Sequence, residues 1–210
     1  VIRDWSSDVC SSDLAEKVAE MYKVSRVDME NMAFWSNKKA DEATKAGKFK
    51  AEIIPMEGLK DDGTPFMVDT DQWVRDDVSM EKMATMKTPF KPDGVVTAAT
   101  SSPLTIGACA LLLMERSKAD KLGLSYSIKY EAGALGGCDP TIMGIAPAYA
   151  VPKALKMAGL KMSQMDVMEC NEAFAVQNLA VAAELEKQLG EKVDWEKWNR
   201  KIDYCMCIRG

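Results

Sequence analysis

Histidine is absent from all 210 residues of the sequence. Because an imidazole supplies the base in Ser-His-Asp and Cys-His catalysis, neither mechanism can operate within this chain alone. The same absence removes the commonest nitrogen ligand from any metal site, and we predict no metal. Acid–base chemistry would have to come from carboxylates, lysines, cysteines or a part of the protein outside this sequence.

Excess positive charge and long apolar runs are also lacking. The net charge is −5 and the calculated pI is near 5.0, which argues against a surface that binds nucleic acid. The longest apolar run, residues 108–114, falls short of the ~18 residues that a membrane span requires. No basic segment followed by an apolar stretch marks a secretory signal. We therefore predict a cytoplasmic protein that has no nucleic-acid or membrane partner.

The six cysteines show no metal-binding or redox pattern. The one close pair, Cys205 and Cys207, is separated by a single residue, which is not the usual spacing of a zinc or redox motif. Reduced thiols are the norm in the cytoplasm. We interpret Cys109 and Cys170 as packing residues of the core.

The two ends of the chain differ from its body. Residues 4–14 (DWSSDVCSSDL) are rich in Ser and Asp without helical or strand periodicity, which predicts disorder. The string also resembles one translated frame of a sequencing-library adapter, so residues 1–14 are interpreted as a non-native tail; a natural flexible tail is the alternative. Residues 200–210 form a second doubtful tail, and either a native end or a frame or assembly error fits them.

The body alternates helix and strand signals. Ser25 and Asp28 have the spacing of a capping box, and the small or apolar residues that follow share one helical face as far as Gly47: Met29, Met32, Ala33, Ser36, Ala40 and Ala43. Further helices are predicted over residues 79–86, 103–114, 117–123, 146–159 and 174–189. Strands are predicted over residues 52–56, 95–98, 126–134 and 167–170. This alternation indicates an α/β layered fold.

Three segments together resemble the thiolase family. They are residues 96–114 (VTAATSSPLTIGACALLLM), residues 143–155 (MGIAPAYAVPKAL) with the AGLKMSQMD that follows, and residues 169–177 (ECNEAFAVQ). Their order and spacing are similar to those of the family, although Ile106 stands where an acidic residue is usual. The resemblance runs from residue 15 to about residue 199. It implies an α/β thiolase-like fold with two similar βαβαβ halves, each present only in part.

The resemblance also implies a division of the chain. Residues 15–91 would be the loop or lid region that covers CoA and helps subunits to associate. Residues 92–124 would end the N-terminal half, and residues 125–199 would begin the C-terminal half. The family implies a homodimer or homotetramer. With both halves incomplete, apolar faces would remain uncovered, so we predict poor solubility or association.

Such a family implies acyl transfer between CoA thioesters, by Claisen condensation or by thiolytic cleavage of 3-ketoacyl-CoA, in fatty-acid metabolism. The CoA thioester is the substrate, and no further cofactor is implied. The family uses a nucleophilic cysteine, a second cysteine and a Gly-His-Pro histidine, none of which this sequence matches. We predict that the chain alone is inactive. The rival hypothesis is a non-catalytic acyl-CoA-binding or scaffold protein on the same fold.

The residues that the resemblance implies for the site lie mainly in the Asn-Glu-Ala-Phe box. Asn171 would position a water of an oxyanion hole; the alternative is a helix cap. Ala173 and Phe174 would line the pantetheine arm of CoA, although Phe174 could simply be a core aromatic. Ser102 would bond the pantetheine amide, or only form a turn. Arg75 would lie near the nucleotide end of CoA, or be an ordinary solvated loop residue.

Overall fold

A computed structural model describes residues 11–103, 105, 107–126 and 128–193 of the chain, with side chains from Asp13 onward. The predictions for residues 1–10, for Ile106 and for the tail from residue 200 lie outside these ranges. The first helix begins at Ser11, so the last part of the segment interpreted as a non-native tail is helical here.

The described residues contain helices α1 to α6 and strands β1 and β2. The helices are, in order, Ser11–Tyr22, Arg26–Lys45, Met80–Ala84, Arg116–Lys121, Pro147–Ala158 and Ala175–Leu189. The strands are Met56–Leu59 and Pro65–Val68. Short 3-10 helices at Ala98–Thr100, Pro140–Ile145 and Met162–Gln164 connect them. No helix within the described ranges is both long and apolar enough to cross a bilayer.

Local signals place α2, α5 and α6 where the sequence predicts them. Ser25 is the N-cap of α2, and its side chain accepts a hydrogen bond of 3.1 Å from the Asp28 N–H. The predicted face of α2 is buried except at Ala43, which is half-buried. Helices α5 and α6 end at Gly159 and Gly190, both with the positive φ that glycine tolerates best. These helix predictions are confirmed.

Three of the four strand predictions are wrong. Among the described residues the one sheet is the antiparallel hairpin β1–β2, with Met56 opposite Val68. The strand predicted over residues 52–56 in fact begins at Met56. Those predicted over 95–98, 126–134 and 167–170 are wrong for every residue described there. A strand is defined by hydrogen bonds to a partner strand, and these segments have none among the described residues.

The helix predicted over residues 103–114 is also wrong, because the residues described there have no regular structure. Leu111, Leu112 and Leu113 are 86%, 83% and 83% exposed. A helix that is apolar all round becomes stable only when other elements cover it, and the described part of the chain does not cover this one. Cys109 is exposed too, which corrects its interpretation as a core residue.

Helix α6 is the centre of the packing. One side of it joins α1 and α2 in a cluster that includes Met29, Val96 and Val176. Its other side packs on α5 in a second cluster, which includes Ala148 and Leu185. The residues just before α6 are therefore held against a rigid core, and the Asn-Glu-Ala-Phe box occupies this position.

Candidate functional site

The Asn-Glu-Ala-Phe box, residues 171–174, leads directly into α6. Phe174 is the N-cap, with extended backbone angles (φ −142°, ψ 142°), and α6 begins at Ala175. Asn171 therefore lies outside the cap, and the alternative interpretation of Asn171 as the capping residue is wrong. The Asn171 side chain is exposed, and its backbone carbonyl accepts a 3.3 Å hydrogen bond from Gln177 Nε2.

Backbone contacts bring Ser102, Ala173 and Phe174 together. The Ser102 N–H donates a hydrogen bond of 2.8 Å to the Ala173 carbonyl, and Ser101 pairs with Phe174 in an isolated antiparallel bridge. The Ser102 side chain is exposed, and Phe174 is half-buried against the first core cluster. Three of the five predicted site residues thus adjoin one another, and Asn171 is in the same short segment.

Glu172 points the opposite way from Asn171, into the protein. Its side chain is buried, and its Oε2 accepts a 2.6 Å hydrogen bond from Ser36 Oγ on α2. Sequence reasoning placed Ser36 on the buried face of α2 but did not assign it a role. Nothing local could have revealed this contact, since 136 positions separate the two residues.

The segment before Ser102 is held by a buried carboxylate on α1. Glu16 accepts hydrogen bonds from the Val95 N–H at 2.9 Å and from the Val96 N–H at 2.8 Å. A Cβ on Gly94 would lie 2.8 Å from the Glu16 Cδ, so a side chain at this position would displace the carboxylate from its donors. Sequence reasoning missed Glu16 altogether, although it fixes the backbone that leads to Ser102.

The fifth predicted residue, Arg75, belongs to the loop between β2 and α3 and is half-buried. Its charge contributes slightly to lowering the pKa of the Asp77 carboxyl, which is lowered mainly by a 2.8 Å bond from Lys82. Within the described ranges, Arg75 takes no part in the contacts that join Ser102, Ala173 and Phe174.

An apolar groove of about 390 Å³ lies between α5, α6 and residues 165–170. Cys170 lines it beside Val151, Leu155 and Val181. Burial, with smaller effects from the carboxylates of Glu169 and Glu172, raises the pKa of the Cys170 thiol to about 12. Cys170 is therefore held as a neutral thiol next to Asn171. Among the described residues, no group of three Cys, Asp or Glu side chains could hold a metal ion.

Comparison with known protein families identifies the family to which the chain belongs. Residues 2–117 match the family model for the thiolase N-terminal domain, and residues 125–200 match that for the thiolase C-terminal domain. The chain therefore belongs to the thiolase family, and the resemblance predicted from its three motifs is confirmed.

Individual thiolases are similar to this chain in sequence and in structure. The chain is 44% identical over 172 residues to the 3-ketoacyl-CoA thiolase of Vibrio parahaemolyticus, a match that covers 81% of this chain and 44% of that enzyme. The crystal structure of the Bacillus anthracis acetyl-CoA acetyltransferase superposes on 96% of this chain with a TM-score of 0.85 at 34% identity. Human mitochondrial 3-ketoacyl-CoA thiolase gives a TM-score of 0.83 at 32% identity and 96% coverage of this chain.

These superpositions confirm the predicted α/β thiolase-like fold, of which the chain represents one part. It spans about half the length of the relatives it matches, 44% of the Vibrio enzyme and 49% of the Bacillus structure. The division at residue 91 and the boundary at residue 124 remain predictions.

Proposed function

We propose that the whole protein transfers acyl groups between CoA thioesters, by Claisen condensation or by thiolytic cleavage of 3-ketoacyl-CoA. The observation that carries this proposal is the attachment of the Asn171–Phe174 box to Ser101 and Ser102, through a backbone bond of 2.8 Å and an antiparallel bridge. The names of the relatives, 3-ketoacyl-CoA thiolase and acetyl-CoA acetyltransferase, support it.

Each predicted residue has a distinct role in this proposal. The exposed Asn171 carboxamide positions a water near the developing oxyanion, because an amide both donates and accepts without changing its charge. Ala173 and Phe174 form a wall for the pantetheine arm, and Ser102 bonds its amide. Arg75 interacts with the nucleotide end of CoA.

The wider predictions belong to the same proposal. The substrate is a CoA thioester and no other cofactor takes part. The protein works in the cytoplasm in fatty-acid metabolism, as a homodimer or homotetramer. Membership of the thiolase family supports the CoA thioester as substrate. The acidic composition, with a net charge of −5, fits the absence of a nucleic-acid partner.

The reaction needs a thiolate nucleophile, and the described cysteines do not offer one near the box. The chain has no histidine to activate a thiol, and a pKa of about 12 keeps Cys170 protonated at neutral pH. We therefore expect the 210-residue chain alone to cleave acetoacetyl-CoA no faster than the buffer does. Turnover above that background would contradict the assignment of the nucleophile to residues outside this chain.

A chimera tests the proposal directly. The 172 matching residues of the Vibrio parahaemolyticus enzyme are replaced by those of this chain, so that the relative supplies the rest of the protein. We expect measurable thiolysis of acetoacetyl-CoA, and a loss of about 10²–10³ in kcat on Asn171→Ala, as for other oxyanion-hole groups. Thr64→Val, in the exposed turn of the hairpin, is the control. A folded chimera without activity would contradict the proposal.

The second candidate is a non-catalytic acyl-CoA-binding or scaffold protein. The absence of histidine from a chain whose box is intact favours it. The flanking genomic DNA separates the two hypotheses. A reading frame that continues into a cysteine-containing strand upstream and a Gly-His-Pro segment downstream supports the enzyme, whereas a genuine start and stop around this body support the binding protein.

A further inference from the structure

The hydrogen bond between Ser36 and Glu172 links two distant parts of the chain inside the core. The Ser36 hydroxyl donates to Glu172 Oε2 at 2.6 Å, and the two residues are only 6% and 3% exposed. A separation of 2.6 Å lies in the range of strong, charge-assisted O–H···O bonds. Since competing water is excluded, this bond constrains Glu172 more firmly than a surface contact could.

The rest of the box is also fixed, but by other means. The Asn171 carbonyl accepts from Gln177, the Ala173 carbonyl accepts from the Ser102 N–H, and Phe174 pairs with Ser101. Every residue of the box therefore has an anchor, while the Asn171 side chain is exposed. Glu172 is the one box residue anchored through its side chain in these contacts, and it adjoins Asn171.

We propose that Ser36 and Glu172 are positioning residues that set the direction of the Asn171 carboxamide. The inference rests on the proposed function, in which that carboxamide serves the acyl-CoA site. Without the Ser36 hydroxyl, the buried Glu172 carboxyl loses this 2.6 Å bond and turns toward the donors that remain, because a lost hydrogen bond at a buried acceptor is costly. That rotation moves the backbone between Asn171 and Ala173.

The position of Ser36 gives the contact a second consequence. Ser36 lies on α2, within the region predicted to be the lid over CoA, whereas Glu172 precedes α6. A displacement of α2 would therefore pull on the box through this bond. The direction of Asn171 then depends on whether the lid helix is seated.

The test uses the full 210-residue chain, labelled with ¹⁵N, and three variants. Ser36→Ala removes the donor, and Ser36→Thr keeps a hydroxyl. Ser25→Ala removes the N-cap of the same helix, where Ser25 Oγ accepts from the Asp28 N–H, and does not touch the box. The readouts are the side-chain amide signal of Asn171, identified by its loss in Asn171→Ala, and the dissociation constant for acetyl-CoA.

We expect Ser36→Ala to shift the Asn171 amide signal and to weaken acetyl-CoA binding at least fivefold. Ser36→Thr should restore both readouts toward the wild-type values. Ser25→Ala should lower the melting temperature but leave the Asn171 signal in place. If Ser36 only stabilised the fold, Ser36→Ala would give the same result as Ser25→Ala. A folded Ser36→Ala chain with an unmoved Asn171 signal would overturn the inference.

Two further outcomes are decisive. If the signal shifts but the wild-type chain does not bind acetyl-CoA, the positioning role stands and the proposed function loses its support from this chain. If Ser36→Ala does not fold, Glu172→Gln replaces it, since the amide keeps the shape and one acceptor oxygen but removes the charge. It should move the same Asn171 signal by a smaller amount, and an unmoved signal would again overturn the inference.

Discussion

Two buried carboxylates organise the site at the scale of single residues. Glu16 accepts hydrogen bonds from the backbone N–H groups of Val95 and Val96, and Glu172 accepts one from Ser36. Both are at least 95% buried, which is unusual for glutamate. Acidic side chains are tolerated in such places when donors compensate for the lost hydration. The backbone on either side of the Ser102–Ala173 contact is held in this way.

Gly94 provides a direct test of the Glu16 anchor. We expect Gly94→Ala to lower the free energy of unfolding by about 1–3 kcal/mol, since the new methyl group would push the Glu16 carboxylate off its donors. Urea denaturation followed by circular dichroism measures the loss. Gly107→Ala is the matched control, because a Cβ there meets nothing within 4 Å. Equal stability of the two variants would contradict the anchor.

Cys170 and Cys109 should differ in their reaction with iodoacetamide. The pKa of Cys170 is raised to about 12 by burial, so little thiolate is present at pH 8, whereas Cys109 is exposed. We expect alkylation of Cys170 to be at least ten times slower, as measured by peptide mass spectrometry. The rates should converge in 6 M urea (roughly the unfolding range for a small domain). Equal rates in the native chain would show that Cys170 is not shielded.

The sequence identified the box at the site but not its supports. Asn171, Ala173 and Phe174 carry a recognisable motif, and the structure brings Ala173 against Ser102 and Phe174 against the neighbouring Ser101. Glu16 and Ser36 have no such motif, because their partners are 79 and 136 positions away. A glutamate or serine within a helix gives no sign of a distant donor or acceptor. These contacts require the tertiary structure to be known.

At the scale of elements, a polar contact joins α1 to α6 beside the apolar packing of the two helices. The Tyr22 hydroxyl, at the end of α1, donates a 3.2 Å hydrogen bond to Glu184 Oε2 on α6. Burial first, and then the Glu184 carboxylate, raise the Tyr22 pKa from 10.0 to about 12. The neutral phenol is therefore favoured in the folded protein, and its ionisation opposes folding.

The pH dependence of stability follows from that shift. Unfolded tyrosine loses its proton near pH 10, while folded Tyr22 retains it until about pH 12. The stabilisation is thus complete below pH 10 and disappears as the pH rises toward 12. We expect Tyr22→Phe to be about 0.5–1.5 kcal/mol less stable at pH 8, with the difference vanishing at high pH.

Urea denaturation at several pH values between 8 and 11 measures this difference, with Tyr130→Phe, at a side chain that is 75% exposed, as the control. A Tyr22→Phe deficit that stays constant across this range would show that the Tyr22 hydroxyl does not carry the effect.

Helices α2, α5 and α6 were predictable from sequence because their signals are local, whereas α1 was not predicted and the helix predicted over residues 103–114 is wrong. Ser25 and Gly47 lie close to the two ends of α2, and Gly159 and Gly190 directly follow the last residues of α5 and α6. Strands were not predictable, since residues 126–134 and 167–170 have strand-like composition but no partner among the described residues. Strand-like composition becomes a strand only when another strand completes the ladder.

At the scale of the whole molecule, several large apolar side chains are almost fully exposed. Leu111, Leu112 and Leu113 are adjacent and more than 80% exposed, and Ile128 and Leu135 are 86% and 92% exposed. Isolated exposed apolar residues are ordinary, but a contiguous group promotes association. We therefore predict that residues 111–113 are the surface through which the chain associates.

Replacing the three leucines tests that location. We expect Leu111→Ser, Leu112→Ser and Leu113→Ser together to reduce the associated fraction seen by size-exclusion chromatography. The melting temperature should stay within a few degrees, because exposed side chains contribute little to folding. Serine replacements at the buried Val176 and Leu185 provide the contrast, since they should lower the melting temperature sharply. Unchanged association of the triple variant would show that residues 111–113 are not the surface responsible for association.

The irregular run between residues 107 and 115 also makes the chain divisible. It separates α1, α2 and α3 from α5 and α6, yet α1 and α2 pack directly on α6. A peptide bond cleaved in this run would leave the Ser36–Glu172 and Tyr22–Glu184 contacts intact, because each joins the two sides. The two pieces, made as separate polypeptides, could then recognise each other and reassemble, which makes this molecule a natural starting point for a split-protein pair.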